Sequence, residues 1–568
     1  MIAFKTHHYL KRKTRGKEGF VALKLDMSKA YDRVRWNFLF EVMRAMNFAP
    51  EWIHLIKECV SSVKYLIPFD NTFLGPILPR RGLRQGDPLS PYLSILVAEG
   101  LSLLIRKNEK QGRIHGVSVA KGAPRVSHLF FADDNFLFFR AQEDECNVIK
   151  GILSTYTSTS GQMVNFSKSA LSFSSNVVGP TRDNICNMLG VYQEQVGSRY
   201  LGLPSLIGRR KMEILGFLRE RIVKRIQSWN NMFLSKAGRE VLLKTVIQVT
   251  PSYAMNVFLL PAKLCTEIER IMNGYWWRRK EMTGWGIRWK SWQDLCKPKQ
   301  KGGLGYRSLR EFNIAMLGKQ AWRLTTDTNS LVSKVFKSRY FPKSSFLDAK
   351  LGSNPSYIWR SVFEAQGIIR DGTRRRVGNG RDIYVWRDSW LPRKEGGMVL
   401  SPKPEGVFDM NVASLIKEDC SGWNVQRVHN VFSHEESEAI LSIPLSKRDV
   451  SDGFWWSDDV RGVYTVKSGY RRIKGEVLEE GWLGWTRMWG LSIQPKIKHF
   501  FWQVMTNVLP VAENLRKKRV DIAAECKLCA EAEETIFHLF KNCRFTQGIW
   551  SNYRQIFQQQ SDSFQDWV

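Results

Sequence analysis

No run of 18 or more apolar residues occurs in this chain, and its opening residues, MIAFKTHHYLKRKTRGK, hold no apolar segment of the kind that directs secretion. The expectation is an intracellular protein of the nucleus or cytoplasm, neither secreted nor membrane-spanning. Cysteine is scarce as well. Nine are scattered over 568 residues without an even framework spacing, which argues against a disulfide scaffold and for a reducing compartment. Acidic residues are outnumbered, 54 against 86 Lys and Arg, and no internal repeat of fixed period is present, so solenoids and propellers are set aside.

What is abundant points the other way. A 43% hydrophobic content with 21 Trp and 32 Phe supplies the apolar surface that disordered chains lack, and the length calls for two to four domains. The formal charge of +32 is a field that polyanions feel, so nucleic acid is the natural partner. Basic residues also sit beside aromatics, as in Trp276, Trp277, Arg278, Arg279 and Lys280, a pairing that single strands reward through stacking and phosphate contact. The KRKTRGK run from Lys11 to Lys17 reads either as a nuclear address or as a solvated surface segment.

Along the chain, FVALKL at 20–25 predicts a strand ending on Asp26, and the spacing of Trp36, Leu39, Met43 and Met46 predicts a helix over 35–48. A second helix over 51–63 precedes a stretch punctuated by Pro and Gly, and YLSILVAEGLSLLIRK predicts a long apolar helix. SHLFFADDNFLFFR at 127–140 suits a hairpin whose turn carries the acids. Residues 211–330 are helical in pattern and rich in Trp, with Trp229, Trp276, Trp277, Trp285, Trp289, Trp292 and Trp322, whereas 331–480 offers only short strand-like pieces and reads as a connecting region.

Asp26, Asp133 and Asp134 therefore stand at the ends of apolar strands in a chain of positive field. Two Mg²⁺ held about 4 Å apart by carboxylates would explain them, because hard ions take oxygen ligands and clamp both the attacking and the leaving oxygen of a phosphoryl transfer. Turn and cap duty explains them equally well on spacing alone.

The strings LKLDMSKAYDRVRW, GLRQGDPLSPYL, FADDNFLFFRA, SGQMVNFSKS and YLGLP occur in the order of the reverse-transcriptase palm motifs. The chain resembles the reverse transcriptases of plant LINE-type (non-LTR) retrotransposons, densely up to about residue 210 and, through LSKAGREVLLKTV, KGGLGYRSL and the C-terminal tail, over nearly its whole length. The resemblance implies an α+β right-hand palm, an antiparallel sheet with packed helices. A thumb-like helical region and a small zinc-binding domain would follow, with divisions at 1–210, 211–330, 331–480 and 481–568. It implies an RNA-directed DNA polymerase in which Asp26 and Asp133 are Mg²⁺ ligands and Asp134 is a ligand or support of the same site. Tyr31 falls where the family stacks a ring under the incoming sugar and excludes a 2′ hydroxyl. Gln85 and Gly86 fall where it positions the nucleotide and templating base, Lys168 where a lysine protonates pyrophosphate, and Tyr200 to Pro204 on the primer-grip hairpin. The implied partners are an RNA template, a DNA primer or target, and a dNTP.

Near the C-terminus, Cys526, Cys529, His538 and Cys543 form C-x2-C-x8-H-x4-C, four soft ligands at a spacing that suits a closed, structural zinc site. A Cys pair with an incidental buried His is the plainer account. The preceding PKIKHFFWQVMTNVLPVAENLRKKRV has a helical apolar face and a basic end suited to gripping nucleic acid. Against the family pattern, an upstream fingers segment and endonuclease and a following ribonuclease H domain are not in this sequence, which reads as a piece of a longer frame. An inert nucleic-acid-binding relic is accordingly the alternative to a polymerase, with an intron-maturase-like chaperone ranked behind both.

Overall fold

The computed structural model describes residues 1–194, 199–205, 207–208, 210–229, 234–278, 287–392, 396–405, 409–419, 422–446, 448–475 and 484–551. Arg279, Lys280 and Trp285, singled out above, lie outside them. Two compact units are present: Met1–Arg209 with Arg323–Arg360, and Arg210–Trp322 with Ser361–Val568. Among the described residues, no helix is long and apolar enough to cross a membrane.

In the first unit the order is α1 (Ile2–Arg12), β1 (Phe20–Ser28), α2 (Trp36–Ala45), α3 (Pro50–Ser61), β2 (Tyr65–Phe69), β3 (Thr72–Ile77), α4 (Ser90–Lys110), β4 (His128–Phe131), β5 (Asp134–Arg140), α5 (Glu143–Ser160), β6 (Met163–Val164), β7 (Ala170–Phe173), α6 (Gly179–Leu189), β8 (Tyr192–Gln193), β9 (Arg199–Tyr200) and β10 (Leu203–Pro204). It is an α+β arrangement whose main sheet runs β4-β5-β1-β7-β8, with β6 paired to β1. β1 is antiparallel to β5 and β7, so it occupies the middle of the sheet.

The alternation of β1 and β5 decides which face is which. Val21, Leu23, Leu25, Leu137 and Phe139 point to one side and join Leu39, Met43, Val97, Leu101, Ile149 and Leu153 of α2, α4 and α5 in one apolar core. Each such side chain, withdrawn from water, contributes roughly 1.5–3 kcal/mol before entropy is counted. The other face carries Lys24, Asp26, Asp134, Phe136 and Phe138. α1 lies on it, with the His7 ring edge-on to Phe136 at 4.9 Å and Phe4 edge-on to Tyr200 at 5.9 Å. The Pro- and Gly-punctuated stretch before α4 contains the β2–β3 hairpin, exposed along its length, which its broken periodicity does not announce.

In the second unit the Trp-rich stretch is core. Trp276 and Trp277 end the helix Ala262–Trp277 with both side chains buried, and Lys236 Nζ lies 5.2 and 5.5 Å from their ring centroids. The reading of these two indoles as stacking surfaces for a strand is corrected: the last helical turn directs both inward. The stretch read as a connecting region also has a core of its own, built from Ile383, Val385, Trp390, Leu391, Val412, Leu415, Val428 and Ile440. Asp452 organises its loops by accepting hydrogen bonds from the backbone N–H groups of Gly378, Gly380 and Asp382 at 2.7, 2.9 and 2.8 Å.

Candidate active site and metal centre

Asp26 stands directly opposite Asp134 in the antiparallel register of β1 and β5. Cross-strand partners share a face, so both carboxylates emerge on the side away from the helical core. Asp133 belongs to the two-residue turn between β4 and β5, where Ala132 takes φ +52°. Asp133 thus precedes Asp134 at the same end of the sheet, although the three carboxylates do not converge as a ligand group among the described residues. Lys24, two residues before Asp26 on the same face, holds the Asp134 carboxylate at 3.4 Å, and its ammonium also donates to the Arg199 carbonyl at 3.0 Å.

The segment carrying Lys168 is stitched to the same strand end. Met27 and Ser28 pair with Val164 and Met163, and Asn165 N–H donates to the Asp26 carbonyl at 2.8 Å. Asp26 N–H in turn donates to Ser169 Oγ at 3.2 Å, which fixes the strand end from both sides. Lys168 itself is exposed beside this junction.

Gln85 and Gly86 ride on a loop strapped to the residues after β1. Gly82 N–H donates to Val34 O and Leu83 N–H to Tyr31 O, both at 2.8 Å, and Trp36 Nε1 donates to Gly82 O at 2.7 Å. Gln85 Nε2 reaches Asp32 Oδ1 at 3.2 Å. The close backbone approach within the protein falls at Gly82, φ +96°, where a Cβ would meet Asp32 O at 2.7 Å; Gly86, φ +85°, has open space beside it. Tyr31 is half-buried and lines a cavity of about 20 Å³ with Phe130, Asn135, Tyr156 and Gln162. Gln162 donates to Ala30 O at 2.9 Å and accepts from the Tyr156 hydroxyl at 2.7 Å, so it positions the Tyr31 loop. Gly82, Gln162 and Ser169 were not singled out in the sequence. All three lie in or beside the quoted motif strings, but their roles depend on backbone partners that a string does not display.

The carboxylate oxygens are the donors a Mg²⁺ pair prefers, and the register places them on one edge of the sheet. In the second unit, Cys526, Cys529, His538 and Cys543 have ligand atoms all within 4.8 Å of one another, the one such group of three or more among the described residues. Cys526 and Cys543 are buried, and Cys529 Sγ is 3.3 Å from His538 Nε2. A tight knuckle delivers the first pair: Ala530 N–H donates to Cys526 O and Cys526 N–H to Ala532 O, each at 2.8 Å. Two thiols, a third thiol and an imidazole converging in this way match tetrahedral zinc with no open position.

The same unit also holds a buried charged cluster. Glu240, on the helix Lys236–Leu242, meets His499 at 2.7 Å, Lys244 at 2.6 Å and Lys299 at 3.0 Å. Burial pushes its carboxyl up, but the His499 hydrogen bond and the two ammonium groups outweigh it and bring the pKa to about 2. Trp502 Nε1 donates to Gly302 O at 2.9 Å nearby, so LSKAGREVLLKTV, KGGLGYRSL and the helix Pro495–Met505 pack as one body.

Two family models match the chain: "Reverse transcriptase (RNA-dependent DNA polymerase)" over residues 2–217 and "zinc-binding in reverse transcriptase" over residues 464–550. An Arabidopsis thaliana protein bearing a ribonuclease H name is 23% identical over 61% of this chain and 57% of its own length. An uncharacterized mitochondrial protein of the same plant is 40% identical over 25% of this chain and 92% of its own length. A retrovirus-related Pol polyprotein from the type-1 retrotransposable element R2 of Popillia japonica is 29% identical over 34% of this chain and 32% of its own. The chain thus spans little more than half of the first of these relatives.

Proposed function

We infer, from the premise that this chain belongs to the reverse-transcriptase family and carries the zinc-binding module found with it, that it performs RNA-directed DNA synthesis as part of a non-LTR retrotransposon protein. The observation that carries this reading is the facing of Asp26 and Asp134 across the β1–β5 register, with Asp133 in the adjoining turn. Asp26 and Asp133 would hold Mg²⁺, and Asp134, anchored by Lys24, would support them. Bound there, the ions would supply Lewis-acid stabilisation of the primer 3′ oxygen and of the triphosphate.

The chain's own residues do the positioning. Gln85 and Gly86 present the nucleotide against the templating base from a loop that Gly82 clamps to the strand-end residues, and Tyr31 sits under the sugar. Lys168 delivers a proton toward the departing pyrophosphate. Catalysis of this kind is alignment and charge stabilisation rather than covalent chemistry. The RNA template, the DNA primer and the dNTP are the partners this assigns, with Zn²⁺ as a structural ion on Cys526, Cys529, His538 and Cys543.

Primer extension on an RNA template with dNTPs and Mg²⁺ tests the reading. Extension by the purified chain that disappears in Asp26→Asn is the expected result. No extension, with nucleic-acid binding retained, would leave only the inert relic.

A further inference from the structure

Trp276 and Trp277 face inward, yet an exposed indole beside unmatched cations is present elsewhere in the second unit. β11 (Thr373–Arg376) and β12 (Gly453–Trp456) pair as an antiparallel ribbon, with Thr373 opposite Trp456, Arg374 opposite Trp455, Arg375 opposite Phe454 and Arg376 opposite Gly453. Side chains alternate between the two faces of such a ribbon. Thr373 and Trp456 are buried, and Trp456 Nε1 donates to Ser468 Oγ at 2.9 Å, so theirs is the inner face. Trp455 and Arg376 therefore share the outer one. Both strands lie outside the residues that the two family models match.

Two glycines give the outer face its shape. A Cβ on Gly462, φ +67°, would meet Cε3, Cδ2 and Cζ3 of Trp455 at 2.1, 2.4 and 2.5 Å, so the indole lies face-on over that glycine. A Cβ on Gly453 would meet Nη2, Nε and Cζ of Arg376 at 3.2, 3.3 and 3.5 Å, which lays the guanidinium flat across its cross-strand partner. Trp455 remains 36% exposed, and Arg376 is exposed. Two planar groups, one aromatic and one cationic, are thus held on one solvent-facing surface.

The charge around them lacks its counterpart. None of Arg374, Arg375 and Arg376 forms an ion pair among the described residues. Arg374 is buried, gives Nη1 to the carbonyls of Asp371 and Thr373 at 3.0 and 3.1 Å, and leaves Nε without a hydrogen-bond partner. Burial, then Arg472, lower its pKa, and Asp458 and Asp371 do not make up the difference. The nearby acids are committed elsewhere: Asp458 to Arg472 at 2.8 Å, Asp459 to the Arg461 N–H at 3.0 Å, and Asp452 to backbone N–H groups. A peptide side chain would cover the indole and leave the arginines unmatched. A nucleotide supplies both a flat base and a negative charge.

We propose that Trp455 and Arg376 form a docking site for an unpaired nucleotide of single-stranded nucleic acid, the base stacking on the outward indole and the phosphate meeting Arg376. The stretch whose sequence reads only as a connecting region then carries a contact of its own. The site stands whether or not the palm polymerises.

The test irradiates the full chain with octanucleotides of RNA or DNA that carry one 5-iodouracil, and maps the cross-linked peptides by mass spectrometry. A cross-link on Trp455 is the expected result, kept at that position in Trp455→Phe and reduced roughly fivefold in Arg376→Gln at low salt. The control Leu400→Ala, a side chain 79% exposed, should leave the yield unchanged. Unchanged melting temperatures show that the variants are folded. An unlabelled uridine octamer should compete the cross-link away, whereas an abasic octamer of equal charge should not. A cross-link with either sugar supports the site, and the stronger of the two names its strand. No cross-link on Trp455 with either, equal competition by the abasic octamer, or an unchanged yield in Arg376→Gln overturns the proposal. Because no incorporation is read, loss of primer extension alone would sink the polymerase reading and leave this site in place.

Discussion

The acids of the palm sheet, which we propose hold Mg²⁺, and the Cys/His group of the C-terminal module, which suits zinc, are brought together by the fold in different ways. Asp26, Asp133 and Asp134 are placed by backbone register and a two-residue turn, with Asp133 exposed and Asp134 held by Lys24. Cys526, Cys529, His538 and Cys543 are placed by side-chain convergence within 4.8 Å, and three of the four are buried. An open hard-ion site has room for a substrate to complete the coordination, and like-charged carboxylates are drawn together only when cations sit between them. A closed soft-ion site leaves no coordination position free, so its binding energy is available to stabilise the fold.

The largest expected effect breaks the closed site. Cys543→Ser should abolish zinc binding and unfold the C-terminal module, a loss on the order of 10 kcal/mol of coupled binding and folding energy. Zinc stoichiometry and the thermal unfolding of the full chain report it, while incorporation per folded palm should survive. Next, Asp26→Asn should lower dNTP incorporation roughly 10³-fold, about 4 kcal/mol of transition-state stabilisation, with no change in melting temperature. A melting shift comparable to that of Cys543→Ser would mean that the acid is structural.

Glu240→Gln sharpens the comparison by removing a buried charge that binds no metal ion, from the same unit as the Cys/His group. Removing one partner from this buried cluster should cost on the order of 3 kcal/mol. Because the Glu240 carboxyl is depressed from 4.5 to about 2, its contribution is complete above pH 4.5 and is lost as the pH falls toward 2. Denaturation midpoints across that window should fall in the wild type and stay flatter in the variant. The smallest effect belongs to Gly82→Ala. Its positive φ and the 2.7 Å approach to Asp32 O should cost about 1–3 kcal/mol and weaken nucleotide binding through the Gln85 loop. Unchanged KM for dNTP would remove that loop from the site.

Part of the first region was legible because it sits on short-range patterns: FVALKL and HLFF read as strands with the acids at their ends. The register that sets Asp26 opposite Asp134 was not, because it pairs strands more than a hundred residues apart and no motif string contains it. The zinc set was legible from spacing alone. The Trp pair at 276–277 was misread because composition does not tell an inward indole from an outward one; the burial of the helix end decides it. The β2–β3 hairpin was missed because Pro68, Gly75 and Pro76 break the alternation on which strand reading depends. The core at 377–440 was missed because its aliphatic and Trp residues come from turns and short helices with no shared period. That residues 323–360 belong with the palm is a long-range fact of packing with no local signature.

The most direct test of the contrast between the two sites is to replace Mg²⁺ by Fe²⁺ on the chain loaded with primer-template and dNTP, and to map the backbone cuts made by locally generated hydroxyl radicals. The account expects cuts beside Asp26 and in the turn at Asp133, lost together in Asp26→Asn, with the zinc module intact. Cuts absent from both strand ends, or unchanged in Asp26→Asn, would contradict it.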